Sequence, residues 1–146
     1  VTSPAFSDGG TIPTRFTCDG PGISPPLRWA ESKPAEEFVL VVTDPDAPGG
    51  TFVHWTAYAI GQNADSIGEG QGPAGAKQGQ NDFGTAGYGA PCPPPGDDAH
   101  RYVFTVYALS MARTRGIPAG TSPDAVLTAI SCCVQEQGSI AATYGR

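Results

Sequence analysis

Five apolar residues in succession, Phe38-Val39-Leu40-Val41-Val42, lie between Pro34 and the pair Asp44-Pro45. Three of the five are β-branched, and the run is short, so it reads as a strand buried on both faces. Two further runs behave alike. His54 to Ile60 (His-Trp-Thr-Ala-Tyr-Ala-Ile) and Arg101 to Ser110 (Arg-Tyr-Val-Phe-Thr-Val-Tyr-Ala-Leu-Ser) are both β-rich and fenced by turn residues. In the last run, Tyr102, Phe104, Val106 and Ala108 share one face, and Val103, Thr105, Tyr107 and Leu109 the other. The 20 glycines and 15 prolines in 146 residues suggest many turns between short strands. The chain is therefore expected to be a single mainly β domain over residues 1–146, in the manner of a sandwich or barrel.

Weaker elements fill the gaps. Residues 1–22 suggest a short edge strand and a loop, and Pro25-Pro26-Leu27-Arg28-Trp29 a strand entered through a rigid turn. Ser122 and Pro123 supply an N-cap and a first-turn proline for a helix expected to run to about Gln137, with Gly138 as its stop. Ser139 to Tyr144 is the last strand. Residues 61–99 are rich in Gly, Pro, Asn, Asp and Gln, and a loop of that length in a small domain is expected to serve a function.

Cys18 and Cys92 both sit in Gly/Pro-rich loops and are the leading disulfide pair, which implies an oxidising compartment and favours an exported protein over a cytoplasmic one. Cys132 and Cys133 are neighbours on the expected helix, where side chains ~100° apart are poorly placed to bond each other. No C-x-x-C spacing calls for zinc. The formal net charge is −6 and no basic cluster is present, so nucleic-acid binding is not expected. No apolar stretch approaches the ~20 residues of a transmembrane span. The first residue is Val, which fits either a leader removed ahead of it or a trimmed chain.

Chemistry concentrates in Asp44-Pro-Asp-Ala-Pro-Gly-Gly-Thr-Phe-Val-His-Trp55. The chain has only two histidines. His54 and His100 each open a strand after a proline-rich turn, and if those strands are neighbours starting at the same end of a sheet the imidazoles converge with Asp44 and Asp46. Each piece has a plain structural reading: a turn, a partly buried histidine, core aromatics at Trp55 and Tyr102. Three chemistries compete for the joint reading. A metallohydrolase lacks H-x-H or H-E-x-x-H spacing, and a serine hydrolase lacks a G-x-S-x-G elbow. An anion pocket fits better: turn N–H groups and histidine donors can hold a phosphate-like group, with an aspartate orienting an imidazole. A bare anion would be repelled by two ionised aspartates, so these must be tied up in hydrogen bonds or meet a cationic part of the ligand.

At Asp44-Pro-Asp-Ala-Pro48, His54-Trp55 and Gly89-Ala-Pro-Cys-Pro-Pro-Pro-Gly96 running into His100-Arg-Tyr102, the chain resembles the phosphatidylethanolamine-binding proteins, which include the Raf kinase inhibitor protein. Ser3 to Gly9, Ser24 to Trp29 and Asn81-Asp-Phe-Gly84 extend the match, and the short length resembles the bacterial and archaeal branch. The resemblance implies a mainly β, Greek-key fold of two antiparallel sheets with one or two short helices and a small cavity at one end. It implies a ligand site built from Asp44, Asp46, His54, Pro94, His100 and Tyr102, with Phe52 walling the opening and Tyr144 capping it. Ala47–Pro48 is the candidate for a cis peptide. The implied ligand is a small anion such as phosphate, phosphoethanolamine or acetate, bound without catalysis, metal or cofactor. Protease or kinase inhibition through the pocket rim and an unrecognised hydrolase remain the alternatives. Eukaryotic members end in an extra helix beside the pocket, so kinase inhibition is not carried over from them.

Overall fold

The computed structural model describes Val1–Arg146. Its strands are β1 (Leu27–Arg28), β2 (Glu37–Asp44), β3 (Phe52–Gly61), β4 (Ser66–Ile67), β5 (Lys77–Gln78), β6 (His100–Leu109) and β7 (Val134–Tyr144), with one helix, α1 (Pro123–Ile130), and a 3-10 turn at Thr14–Phe16. β1 and β4 form a two-stranded sheet, and the other strands form a five-stranded sheet in the order β5-β3-β2-β6-β7. Every pairing between these strands is antiparallel. The expected mainly β fold of two antiparallel sheets is what the chain adopts.

The unbroken apolar run of β2 follows from its place at the centre. Phe38, Leu40 and Val42 enter a core of 20 buried residues under the N-terminal segment and the small sheet. Val39 and Val41 join Tyr58, Leu109, Val126 and Ile130 in a second cluster beneath α1. Both faces are covered, so neither can be polar. β6 divides its faces as its alternation demands: Tyr102, Phe104, Val106 and Ala108 all lie in the larger core.

β3 and β6 are not neighbours. Both pair with β2, one on each side, and both run antiparallel to it, so both begin where β2 ends at Asp44. β3 is also irregular. The partner of Val42 is Trp55 and that of Thr43 is Val53, which leaves His54 as the extra residue of a β-bulge. A second register shift, between Phe38 and Leu40, takes in Ala59, whose φ is +55° and whose N–H donates to Thr114 Oγ1 at 2.8 Å.

The helix begins as its sequence dictates, with Ser122 at the N-cap and Pro123 in the first turn, but it stops at Ile130, not Gln137. The chain from Val134 onward pairs with β6 along nearly its whole length, Val134 opposite Leu109 and Tyr144 opposite His100. That ladder overrides a helical pattern of only moderate propensity. Cys132 and Cys133 therefore lie in a turn, where they form a disulfide across a Cα–Cα distance of 3.8 Å, against the expectation for a helix. Cys18–Cys92 is also bridged, as the loop compositions suggested. Ala47–Pro48 is trans, as is every peptide bond in the chain. The reversal is completed instead by Gly50, with φ +105° and its N–H donating to Ala47 O at 3.0 Å, so no cis bond is needed.

Candidate functional site

Where β2 ends and β3 and β6 begin, the larger core opens into a cavity of about 140 Å³ lined by Asp44, Phe52, His54, His100 and Tyr102, the turn at Ala47–Pro48, the loop Cys92-Pro93-Pro94, and Phe83. Side-chain period places Tyr102 and His100 on the core face of β6, and Asp44 continues the core face of β2 beyond Val42. His54 needs the bulge. In a regular strand it would point away from the face that buries Trp55, whereas here both lie on the core side, with the His54 ring 5.2 Å from that of Tyr102.

Asp44 is buried and both its oxygens are engaged. Oδ2 accepts from His100 Nδ1 at 2.7 Å, and Oδ1 accepts from the N–H of Asp46 at 2.8 Å. His100 Nε2 lies 3.3 Å from Asp97 Oδ2. Burial disfavours its charge, yet the hydrogen bond and charge of Asp44, followed by those of Asp97, hold its pKa above the ordinary 6.5. Two carboxylates therefore bias His100 towards its imidazolium form.

His54 is its opposite. Its Nδ1 donates to the carbonyl of Gly89 at 2.7 Å, while Gly89 N–H donates back to His54 O at 2.7 Å. A carbonyl only accepts, so Nδ1 carries the proton and, in the neutral ring, Nε2 carries a lone pair. Burial, the largest influence, holds the pKa below the ordinary 6.5 despite the Gly89 carbonyl and the charges of Asp44 and Asp82. Neither His54 Nε2 nor the Tyr102 hydroxyl has a protein hydrogen bond, and neither atom is sealed off, so both are free to meet a ligand. Burial, with Asp44 and Asp46 beside it, pushes the Tyr102 phenol well up, so it stays a neutral donor.

An aromatic rim closes the mouth. Phe52 and Phe83 meet edge to face at 4.7 Å, and each lies near His54, at 5.0 and 5.3 Å. Phe83 is 51% exposed. Its turn is built by the buried Asn81, whose Oδ1 accepts from Phe83 N at 3.0 Å and Thr85 N at 3.2 Å while Nδ2 donates to Gly87 O at 3.0 Å. Asp82 locks the turn to β3 by accepting from Val53 N at 2.7 Å. A Cβ at position 89 would sit 2.4 Å from the Phe83 ring, so glycine there lets that ring lie over the mouth.

Two expected members stand elsewhere. Asp46 hydrogen-bonds neither histidine. Its Oδ2 accepts from Arg101 N at 2.9 Å, pinning the start of β6, and it lines an open surface depression with Asp97, Asp98 and His100 outside the cavity. Tyr144 does not cap the cavity. It ends β7 opposite His100 of β6, and its hydroxyl donates to Asp19, which also binds Arg146 at 3.2 Å. Phe83, Asp97 and Gly89 join the site without having been expected there. An isolated phenylalanine in a polar Asn-Asp-Phe-Gly turn was the available signal for the first. No group of three or more His, Cys, Asp or Glu is arranged to hold a metal ion.

The family model "Phosphatidylethanolamine-binding protein" matches residues 2–145. A Mycobacterium tuberculosis protein named "Putative lipoprotein LppC" is 40% identical over 144 residues, which cover 99% of this chain and 71% of that one. A UPF0098 protein of Aquifex aeolicus is 42% identical over 151 residues, covering 100% of this chain and 88% of the relative. The crystal structure of E. coli YbcL, described as a new member of the mammalian PEBP family, superposes with a TM-score of 0.92 at 31% identity, covering 99% of this chain and 96% of that one.

Proposed function

Because the chain belongs to the phosphatidylethanolamine-binding protein family, whose members bind small ligands, we propose that it is a binding protein, not an enzyme, whose cavity takes a small anion that still carries a proton. The observation behind this reading is the pairing of two unlike imidazoles in one cavity. His100 is biased towards its charged form by Asp44 and Asp97, whereas His54 offers a bare Nε2 lone pair. A fully ionised phosphate would face the Asp44 charge and that lone pair with too few donors. A monoprotonated phosphate or a phosphate monoester donates its O–H to His54 Nε2 and accepts from His100 Nε2–H and the Tyr102 hydroxyl, displacing Asp97. Protonating His54 reaches the same charge balance. Either way a proton accompanies the anion, and phosphate monoesters titrate near ~6, close enough to supply it.

Size agrees with that class. About 140 Å³ equals the space of about four to five waters, enough for a phosphate and well below the ~300 Å³ where drug-sized sites begin. The cavity has room for a head group and none for an acyl chain. Nothing in it pairs a nucleophile with a base. Both disulfides and the relative bearing a lipoprotein name support an exported location, and no helix is long and apolar enough to cross a membrane.

Calorimetric titration with inorganic phosphate and with phosphoethanolamine, at a pH below and a pH above the ordinary histidine pKa, tests the reading. Binding should be tighter at the lower pH and abolished in His54→Phe. Equal or tighter binding of phosphoethanolamine, the monoester that loses its last proton at about 6, at the higher pH refutes the proton requirement, and no binding of either probe at any pH refutes the anion site.

A further inference from the structure

At the far end of β6 from His100, about 30 Å along a ten-residue strand, lies a second concentration of reactive side chains. Ser110 N and Oγ both donate to Cys133 O, at 2.8 and 3.2 Å, and continue the β6–β7 pairing one residue beyond the strand. That contact brings the next residue, Met111, against the cysteine turn, with its Sδ 3.9 Å from Cys133 Sγ. Met111 is the chain's only methionine. It is 55% exposed, and an exposed thioether in contact with a cysteine pair calls for a reason. Cys132 is exposed and Cys133 is 7% exposed, so the cluster is reachable from solvent. The helix end fixes the other side, through Cys133 N–H to Ile130 O at 2.9 Å. Arg113 Nε donates to Ala129 O at 3.3 Å, setting a guanidinium charge against that helix end. It offsets the negative carboxyl end of the helix.

We propose that, once the Cys132–Cys133 bridge is opened, Cys132 Sγ, Cys133 Sγ and Met111 Sδ form a three-sulfur site for a soft monovalent cation, Cu(I). Two thiolates and a thioether are the donor set that selects Cu(I) over harder ions such as Mg²⁺ or Ca²⁺. A dithiol reductant supplies two electrons and two protons to the bridge and leaves as its own disulfide. Cu(I) then displaces the two thiol protons, and Met111 enters as a neutral third donor, giving a complex of net charge −1. The bridged form has no thiolate to offer, so the turn takes the metal only when reduced. Adjacent cysteines hold both sulfurs in place across the change. The loop that the bridge closes is too short for its opening to release the chain.

The test uses the full chain carrying Cys18→Ser and Cys92→Ser, reduced without oxygen and titrated with Cu(I) against a chromogenic competitor. One Cu(I) per chain is expected after reduction and none before it. Adding Cys132→Ser and Cys133→Ser should remove that equivalent, and Met111→Leu should weaken it by ~10-fold or more, as losing even an outer partner does at many metal sites. Retention of Cu(I) without Cys132 and Cys133 overturns the site, and unchanged affinity in Met111→Leu overturns the three-sulfur set. If the Cys18→Ser/Cys92→Ser chain does not fold, the same two comparisons decide the matter in the otherwise unaltered chain treated with limiting dithiol, so that only two thiols per chain, those of the Cys132–Cys133 bridge, are released and Cys18–Cys92 stays closed. There, the first equivalent must vanish without Cys132 and Cys133 and weaken without Met111.

Discussion

Replacing Cys18 and Cys92 together with serine opens a covalent loop between residues 74 apart in sequence. By loop-closure entropy the bridge removes about 4.4 kcal/mol of freedom from the unfolded chain, near the top of the ~2–5 kcal/mol range seen for native disulfides. For a domain of this size that loss should lower Tm by roughly 9 to 18 °C. The native contacts beside the bridge survive the change, because Cys18 N–H donates to Pro91 O at 3.0 Å through the backbone. The companion variant, Cys132→Ser with Cys133→Ser, opens a loop of adjacent residues and should cost far less, since almost no chain is confined there. Urea unfolding followed by circular dichroism gives both values, and an increased m-value in the first variant would register the more expanded unfolded chain. Equal losses in the two variants, or a loss below about 1 kcal/mol in the first, would refute the loop-closure reasoning. The first variant should also bind phosphate more weakly, because Cys92, Pro93 and Pro94 form one wall of the cavity.

Asp44→Ala leaves the buried His100 without its charge partner and should destabilise the fold by about 3 kcal/mol or more, measured by the same unfolding, with phosphate binding lost. The two histidines shape the pH dependence of stability in opposite senses. His100, with its raised pKa, contributes fully below the unfolded value of 6.5, and that contribution fades as pH rises through its folded value. His54, with its lowered pKa, contributes fully above 6.5 and loses that contribution as pH falls through its folded value. Unfolding free energies of His54→Gln and His100→Gln across pH should therefore differ from wild type on opposite sides of neutrality. Phe83→Ala removes a half-exposed ring and should change stability by less than about 1 kcal/mol. It should nevertheless speed phosphate release in stopped-flow measurements, because the ring screens the mouth of the cavity.

The elements legible in residues alone are those whose local pattern and tertiary role agree. Phe38 to Val42 is apolar on both faces because both faces are covered, and that is visible as an unbroken run. Ser122-Pro123 announces a helix start because capping is a matter of neighbouring atoms. The helix end differs from its expected place because it depends on β7 finding β6, a pairing between residues far apart in sequence. With it goes the geometry of Cys132 and Cys133, which adjacent positions in a helix would have kept apart. Asp46 and Tyr144 are drawn into the site by motif and proximity in sequence. The folded chain turns Asp46 outward to the N–H of Arg101 and joins Tyr144 to Asp19.

Composition and pattern by themselves pointed to a mainly β domain, to the strands at Phe38, His54 and Arg101, and to Cys18–Cys92 as the leading pair, and left the convergence of His54, His100 and Asp44 conditional on how their strands are arranged. Only the tertiary structure decided how those three meet. β2 runs between β3 and β6, so Asp44 ends beside His100, and one extra residue in β3 brings His54 to the same face as Trp55. A bulge leaves no mark in a period-two reading, because it is chosen by the register of two strands and not by either strand alone. The same holds for the protonation states. Both rings are histidine in sequence, and one is biased towards a cation and the other towards a neutral acceptor because one meets a carboxylate and the other a carbonyl.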